Sequence, residues 1–218
     1  MESMFSPDGV IFRWMNKFAN LVFLNVLWIL CSIPLVTAGA ATTAMYSVLL
    51  KMSRNEETYV VKSFFHSFVK NFRQAAAIWM LFLGYGAVLL GELIFCIHVQ
   101  GAKWLFIPII WFAAIGMVTL VYAFPVLAFF EDSVKNVLKN AFLMAVAHLP
   151  KTVLMIMING IPLFVLWFFS SFLSIATFFD IVIAFALSAS INARYFREIF
   201  DKYLPGEGNL EKQCVIQK

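Results

Sequence analysis

Two carboxylates lie inside long apolar stretches of the sequence. Glu92 lies near the end of one apolar run, and Asp180 lies near the beginning of another. An ionised side chain at mid-membrane costs about 2.5–3.5 kcal/mol on insertion scales, so each carboxylate is a candidate functional group. Together with His98 and Lys103, they could share a proton or bind a polar solute at the outer face of a membrane. The alternative is structural: each carboxylate reaches the headgroups or bonds a neighbouring helix.

No other residue pattern predicts catalysis, a cofactor or a metal site. The sequence lacks the GxxxxGK[ST] loop of nucleotide-binding proteins, the GxSxG turn of serine hydrolases and the HExxH pair of zinc proteases. His66, His98 and His148 fall in different segments, and the three cysteines show no CxxC spacing. We therefore expect a non-enzymatic protein with no cofactor and no metal. An energy-driven transporter of this kind would need its ATPase from another chain.

The composition predicts a protein whose natural solvent is lipid. Of 218 residues, 62% are apolar, 25 are Phe and only 13% are charged. Soluble proteins average about 45–50% apolar and about 25% charged residues. The net charge of +4 is modest, and the Lys and Arg residues cluster between apolar runs. An anionic membrane surface explains that pattern better than nucleic acid does.

The predicted fold is an all-α, polytopic transmembrane helix bundle. A bilayer core about 30 Å thick needs about 20 apolar helical residues to cross it. Residues 1–198 form one predicted transmembrane domain, and residues 199–218 form a predicted cytoplasmic tail. Five runs have the length of a full span: about 18–36, 75–97, 104–130, 152–171 and 174–193.

A shorter apolar stretch, at about residues 37–53, is rich in Ala, Gly, Ser and Thr. Pro34 and Gly39 interrupt the path into it, and two interpretations stay open. The stretch could turn back as a sixth crossing or a re-entrant hairpin, since irregular backbone is tolerated at membrane depth when protein covers it. Alternatively, the first helix is kinked and emerges into the cytoplasmic interface.

The distribution of Lys and Arg predicts the orientation, because cytoplasmic loops carry an excess of both. With five crossings, 13 of these residues lie inside, and Arg13, Lys17 and Lys103 lie outside. With six crossings, Arg13 and Lys17 move inside, so that 15 oppose Lys103 alone. Six crossings obey the rule better, and both arrangements place the C-terminus in the cytoplasm.

Three segments have the pattern of helices that lie on a membrane surface, at about residues 8–17, 60–73 and 132–147. In the second segment, the predicted apolar face consists of Val61, Phe64, Phe65, Phe68, Val69 and Phe72. The basic residues of the second and third segments are Lys62, His66, Lys70, Arg73, Lys135 and Lys139. These segments either pack beneath the bundle for stability alone, or contact anionic lipid and dock a cytoplasmic partner.

The stretch from Leu24 to Tyr46 reads LNVLWILCSIPLVTAGAATTAMY, and it resembles the signature of the YesL family of bacterial membrane proteins, whose domain is of unknown function. Met4-Phe5, RNEE at residues 54–57 and FFHSFVKNFRQ at residues 64–74 extend the resemblance. The resemblance implies a small multi-pass protein of the bacterial cytoplasmic membrane. It also implies an accessory role in carbohydrate uptake, since members are often encoded beside sugar ABC importers and glycan-degrading enzymes. It supplies no catalytic or binding residues.

The sequence therefore leads to two functional expectations. The first is a non-enzymatic accessory component of a bacterial carbohydrate uptake system, with the lipid bilayer and either ABC importer subunits or further copies of itself as partners. The second is a small solute transporter that acts by itself through intramembrane Glu92 and Asp180.

Overall fold

The computed structural model describes residues 10–54, 59–99, 102–130, 132–169 and 184–203, and these contain helices and connections but no strand. The prediction of an all-α fold is confirmed for this part of the chain. Two short 3₁₀ turns, Leu35–Thr37 and Ala102–Leu105, connect longer helices. The α-helices are α1 (Val10–Ser32), α2 (Ala38–Ser53), α3 (Val60–His98), α4 (Phe106–Phe129), α5 (Val134–Ala147), α6 (Leu149–Phe169) and α7 (Phe185–Phe200).

Several of these helices are long and apolar enough to cross a membrane, as expected of a membrane protein. Four segments meet that test by length and composition: Met15–Ser32, Leu35–Ser53, Val60–His98 and Phe106–Phe129. A fifth would be added if α5 and the first part of α6, which are bent by 104° at their junction, counted as one span. The predicted spans 152–171 and 174–193 both extend into residues 170–183, outside the described residues.

Two helices are continuous where the sequence suggested a break between an interfacial helix and a span. α1 is continuous from Val10 to Ser32, so the predicted interfacial helix 8–17 and the span 18–36 are not separate, and α1 ends just before Pro34. α3 is likewise one helix of 39 residues, about 58 Å long, nearly twice the bilayer core. The change in polarity near residue 74 does not interrupt it, since Gln and Ala are good helix formers.

α2 lies at the centre of the structure, in contact with α1, α3, α4 and α7. Its small residues allow this close approach, as they do in other membrane helix pairs. The tightest point is Gly39, where an added Cβ would lie 2.7 Å from Trp79 Cβ and 2.8 Å from the Ala75 carbonyl oxygen. The same atom would lie 3.0 Å from the Phe124 ring, so that α2, α3 and α4 meet at this glycine.

The chain turns back between α1 and α2. Trp28 Nε1 donates a hydrogen bond to Thr42 Oγ1 at 3.1 Å, and Thr37 Oγ1 donates to the Cys31 carbonyl at 2.5 Å. The tip of this hairpin is fixed to α3, because Trp79 Nε1 donates to the Leu35 carbonyl at 2.7 Å.

α2 runs beside only one half of α3. Gly39 at its start touches Ala75 and Trp79, and its end at Ser53 is joined by a short connection to Val60, where α3 begins. Residues 80–98 of α3 and 106–118 of α4 continue past the α1–α2 hairpin and pair with each other, with Tyr85 Oη donating to the Phe112 carbonyl at 2.6 Å. We call these two segments the distal hairpin.

The opposite end of the bundle is densely packed with aromatic rings, and we call it the basic end. Tyr122 stands edge-on to Phe196 with ring centroids 5.0 Å apart, and Phe129 lies 4.9 Å from Phe200. The buried Tyr122 hydroxyl lies 3.0 Å from Thr152 Oγ1, which fixes α4 to α6. The basic end contains Lys17 of α1, Ser53 of α2, the start of α3 and α6, and the ends of α4 and α7.

The Gly39 contact predicts opposite effects for two glycine substitutions. Gly39→Ala must displace backbone and Trp79, and overpacking of this kind costs about 1–3 kcal/mol. Gly84→Ala, in the middle of α3 with no atom within 4 Å of the added Cβ, should stabilise its helix by about 0.5–1 kcal/mol. In mild detergent, the melting temperature should fall by about 2 °C or more for the first variant and rise or stay level for the second. Equal melting temperatures would contradict the three-helix contact.

Candidate functional site

Charged residues at the basic end form a network that joins α2 to α7. The Arg197 guanidinium donates a short hydrogen bond to the Ser53 carbonyl, a group that the end of α2 leaves without a helical partner. Its Nε also lies 3.6 Å from Asp201, and Arg54 lies 3.3 Å from the same carboxylate. The Arg54 guanidinium sits 4.9 Å from the centre of the Phe129 ring. Two arginines and one carboxylate thus hold the ends of α2, α4 and α7 together.

A second ion pair joins α6 to α7. Lys151 Nζ donates to Glu198 Oε2 at 2.5 Å, and this bond together with the lysine charge lowers the pKa of Glu198. The His148 ring lies beside Tyr203, whose hydroxyl is 3.4 Å from His148 Nε2. Burial, followed by the charges of Lys202 and Lys151, lowers the pKa of His148 and favours its neutral form.

A cleft of about 850 Å³ opens between α1, α2 and α7 next to this network. Its walls combine apolar side chains with cations and two carboxylates. This cleft was not predicted from the sequence, although the spacing of Leu187, Ile191, Arg194 and Arg197 indicates that one helical face continues past residue 193. The lining residues are Lys17, Phe18, Leu21, Leu49, Met52, Ser53, Leu187, Ser190, Ile191, Arg194, Arg197, Glu198 and Asp201.

The basic residues of segment 60–73 lie on the exposed surface of the first half of α3. Lys62, His66, Lys70 and Arg73 are all exposed, and their spacing places them along one side of the helix. We call these four residues the basic stripe. The structure brings them together on a rigid helix, although the sequence had placed them on a separate helix at the membrane surface.

The predicted apolar face of this segment is only partly buried. Phe64 is fully buried, and Phe68 and Phe72 pack against the same core. Val61, Phe65 and Val69 instead remain exposed beside the basic stripe, Val69 to 73%. Next to them, Asn20, Phe23, Tyr59, Val60, Val61, Lys62 and Phe65 line a second cleft of about 570 Å³ between α1 and α3.

α5 is a separate amphipathic helix, and it turns sharply away from α6. Val137 and Ala141 are buried in the bundle, whereas Lys135 and Lys139 are exposed. The Asp132 carboxylate fixes its start by accepting hydrogen bonds from the Ser133 backbone N–H at 2.7 Å and from the Asn136 side chain at 2.8 Å.

The structure describes only part of the predicted outer site. Glu92 is exposed on the distal hairpin and lines an apolar cleft of about 400 Å³ with Phe95, Leu105, Pro108, Ile109 and Phe112 among others. His98 Nδ1 lies 2.8 Å from the Ile94 carbonyl of its own helix. Lys103 lies in the turn Ala102–Leu105, and Asp180 lies outside the described residues. Within the described ranges, Glu92 has no hydrogen-bond or ion-pair partner.

One comparison with known proteins identifies a related region. Residues 21–93 match the family model DUF624, described as a protein of unknown function. The DUF624 region is one third of the chain, and it runs from α1 through the α1–α2 hairpin to most of α3. It includes Gly39, the basic stripe and Glu92, but not α7. No curated protein and no solved structure matches the chain.

The Arg197 contacts predict that this residue stabilises the basic end. Arg197→Met leaves the Ser53 carbonyl and Asp201 with fewer partners, and an unsatisfied group of this kind costs about 1–3 kcal/mol. We expect a melting temperature in detergent several degrees below that of the wild type. Lys139→Met is the control, because Lys139 is exposed and forms no ion pair among the described residues. Equal losses in both variants would contradict the network.

Proposed function

We propose that the protein is a non-enzymatic accessory membrane protein that holds a cytoplasmic partner through the basic stripe of α3. The observation that supports this proposal is the combination of four exposed cationic or titratable side chains with exposed apolar neighbours on one rigid helix. Tyr59 is 84% exposed beside Val61 and Phe65, at the edge of the second cleft. Tyr and Arg, which are represented here by Tyr59 and Arg73, are among the residues that contribute most binding energy at protein interfaces.

The direction of the stripe favours a protein partner over lipid alone. Lys62 and Arg73 are about 16 Å apart along the helix axis. A helix that crosses a membrane runs steeply to its plane, so these side chains cannot all lie at the level of the headgroups. The electrostatic attraction of the membrane surface falls off within a Debye length of about 8 Å. Lipid headgroups alone therefore cannot neutralise the whole stripe, and part of it is left for a macromolecule in the aqueous phase.

The resemblance to the YesL family gives the proposed partner its identity. Members of that family are often encoded beside sugar ABC importers. We therefore propose that the partner is an importer subunit with an acidic and apolar surface. Another copy of the same chain is the second possibility. The DUF624 region contains the entire basic stripe, so the proposed docking function would be a function of that region.

We further propose that the basic end faces the cytoplasm and that α1–α2 is a re-entrant hairpin. The excess of Lys and Arg at the basic end supports this orientation. Among the described residues, Lys103 is the one Lys or Arg in the distal region. The hairpin tip reaches only the level of Trp79, whereas α3 continues to His98. A hairpin of that depth enters and leaves the membrane on the same side.

Labelling of single-cysteine variants with a thiol reagent tests this topology. In a variant without Cys31, Cys96 and Cys214, Lys62→Cys should react only when the reagent reaches the cytoplasmic side, and Val99→Cys should react from outside intact cells. Ile33→Cys, at the hairpin tip, should resist a membrane-impermeant maleimide from outside. Strong external labelling at position 33 would show a full crossing instead.

The transporter hypothesis has one supporting observation, the cleft beside Glu92. This cleft lies between two helices of the distal hairpin, and Glu92 is exposed rather than enclosed. Asp180, its proposed partner, lies outside the described residues. We therefore place the transporter second, behind the accessory role.

Affinity purification from native membranes of glycan-grown cells separates the two functions. The wild-type protein should recover an importer subunit in near-stoichiometric yield. Lys62→Gln/Lys70→Gln/Arg73→Gln should reduce that yield on the order of tenfold, because an exposed ion pair contributes about 0.5 kcal/mol and three of them about 1.5 kcal/mol. The control Lys135→Gln/Lys139→Gln/Lys202→Gln removes equal charge from other exposed positions. Equal yields from both triple variants would reject the stripe, and a protein recovered alone would favour the autonomous transporter.

A further inference from the structure

The cleft between α1, α2 and α7 changes from apolar to cationic along its length. On α7, Leu187 and Ile191 come first, and Arg194 and Arg197 follow on the same side toward the basic end. On α1, which approaches from the other direction, Leu21 lies deeper and Lys17 nearer the basic end. Both walls thus have the same polarity gradient.

Two of the cations in the cleft are not neutralised by the described residues. Arg197 pairs with Asp201, and Glu198 pairs with Lys151 of α6. Arg194 and Lys17 are exposed, and neither forms an ion pair within the part of the chain that the structure describes. An anion placed between α1 and α7 would therefore meet two positive charges that the described residues leave without an ion pair, in addition to Arg197.

We propose that this cleft binds one anionic phospholipid. The phosphate lies between Lys17 and Arg194, and an acyl chain lies along Leu21, Leu187 and Ile191. The apolar wall from Leu187 to Arg194 is about 10 Å long, so it covers the upper part of a chain beneath the headgroup. Lipid matches this gradient because it carries its charge at one end and its apolar surface at the other, and the cytoplasmic leaflet is rich in anionic lipid.

This site is independent of the proposed docking surface. The basic stripe belongs to α3, whereas the lipid site is built from α1, α2 and α7. The lipid site would stand if the docking function failed, since neither Lys17 nor Arg194 belongs to the stripe.

Native mass spectrometry of the full chain in a neutral detergent tests the proposal, with phosphatidylglycerol and phosphatidylcholine added in turn. The wild type should retain one phosphatidylglycerol per chain and little phosphatidylcholine. Lys17→Gln/Arg194→Gln should retain phosphatidylglycerol on the order of tenfold more weakly, because each charge near a phosphate contributes measurably to binding. Lys135→Gln/Lys139→Gln, with the same loss of charge on α5, should behave as the wild type. Equal retention by the cleft variant and the wild type would overturn the proposal.

Two further measurements separate lipid from a simple anion site. Ile191→Trp keeps both cations but fills the apolar wall, and it should also weaken phosphatidylglycerol retention. Inorganic phosphate at millimolar concentration should not displace the bound lipid. Full displacement by phosphate, or unchanged lipid retention in Ile191→Trp, would identify a phosphate site without an acyl chain and reject the lipid.

Discussion

The close contact of α2 with α3 and α4 at Gly39 is the constraint on which the rest of the structure depends. Apolar helices in lipid gain nothing by hiding apolar surface from one another, so they associate through van der Waals contact and hydrogen bonds. A missing side chain at residue 39 lets the α2 backbone touch Ala75 and Trp79 directly. Once α2 is fixed there, its remaining faces are covered by α1 and α7, and its end reaches Arg197.

The two ends of the molecule differ in how densely their side chains are packed. The basic end has stacked aromatic rings, buried hydroxyls and paired charges, and each of the two sites proposed above lies at or beside it. In the distal hairpin, large apolar side chains such as Ile107 and Trp111 are exposed in the described structure. Lipid is a suitable neighbour for such surface, whereas water is not.

Apolar runs and helical periodicity were enough to predict the all-α fold and a helix at each described span. They failed at α3, because a change from amphipathic to apolar character was taken for a boundary. Local helix propensity across residues 74–77 predicts continuity better than the polarity does. The small residues around Gly39 indicated close packing, but nothing in the sequence specified Trp79 and Phe124 as the neighbours.

The sites were less predictable than the helices. The residues of the basic stripe were found by their spacing alone, since four neighbouring turns of one helix place them together. The cleft was missed because its walls come from three separate parts of the sequence, and Arg194 and Arg197 looked like ordinary charges after a span. Glu92 and His98 lie close in the sequence, yet six positions along a helix turn their side chains toward different sides.

The continuity of α3 also has a mechanical consequence. α3 is a single unbroken helix that is held near its middle by the Gly39 contact. One end of it lies in the distal hairpin, and the other end carries Lys62. A tilt of about 10° around Trp79 moves the Lys62 end by roughly 4 Å, given the rise of the helix. A tilt imposed on the distal hairpin would therefore appear as a displacement at the Lys62 end, without any change in the helix itself.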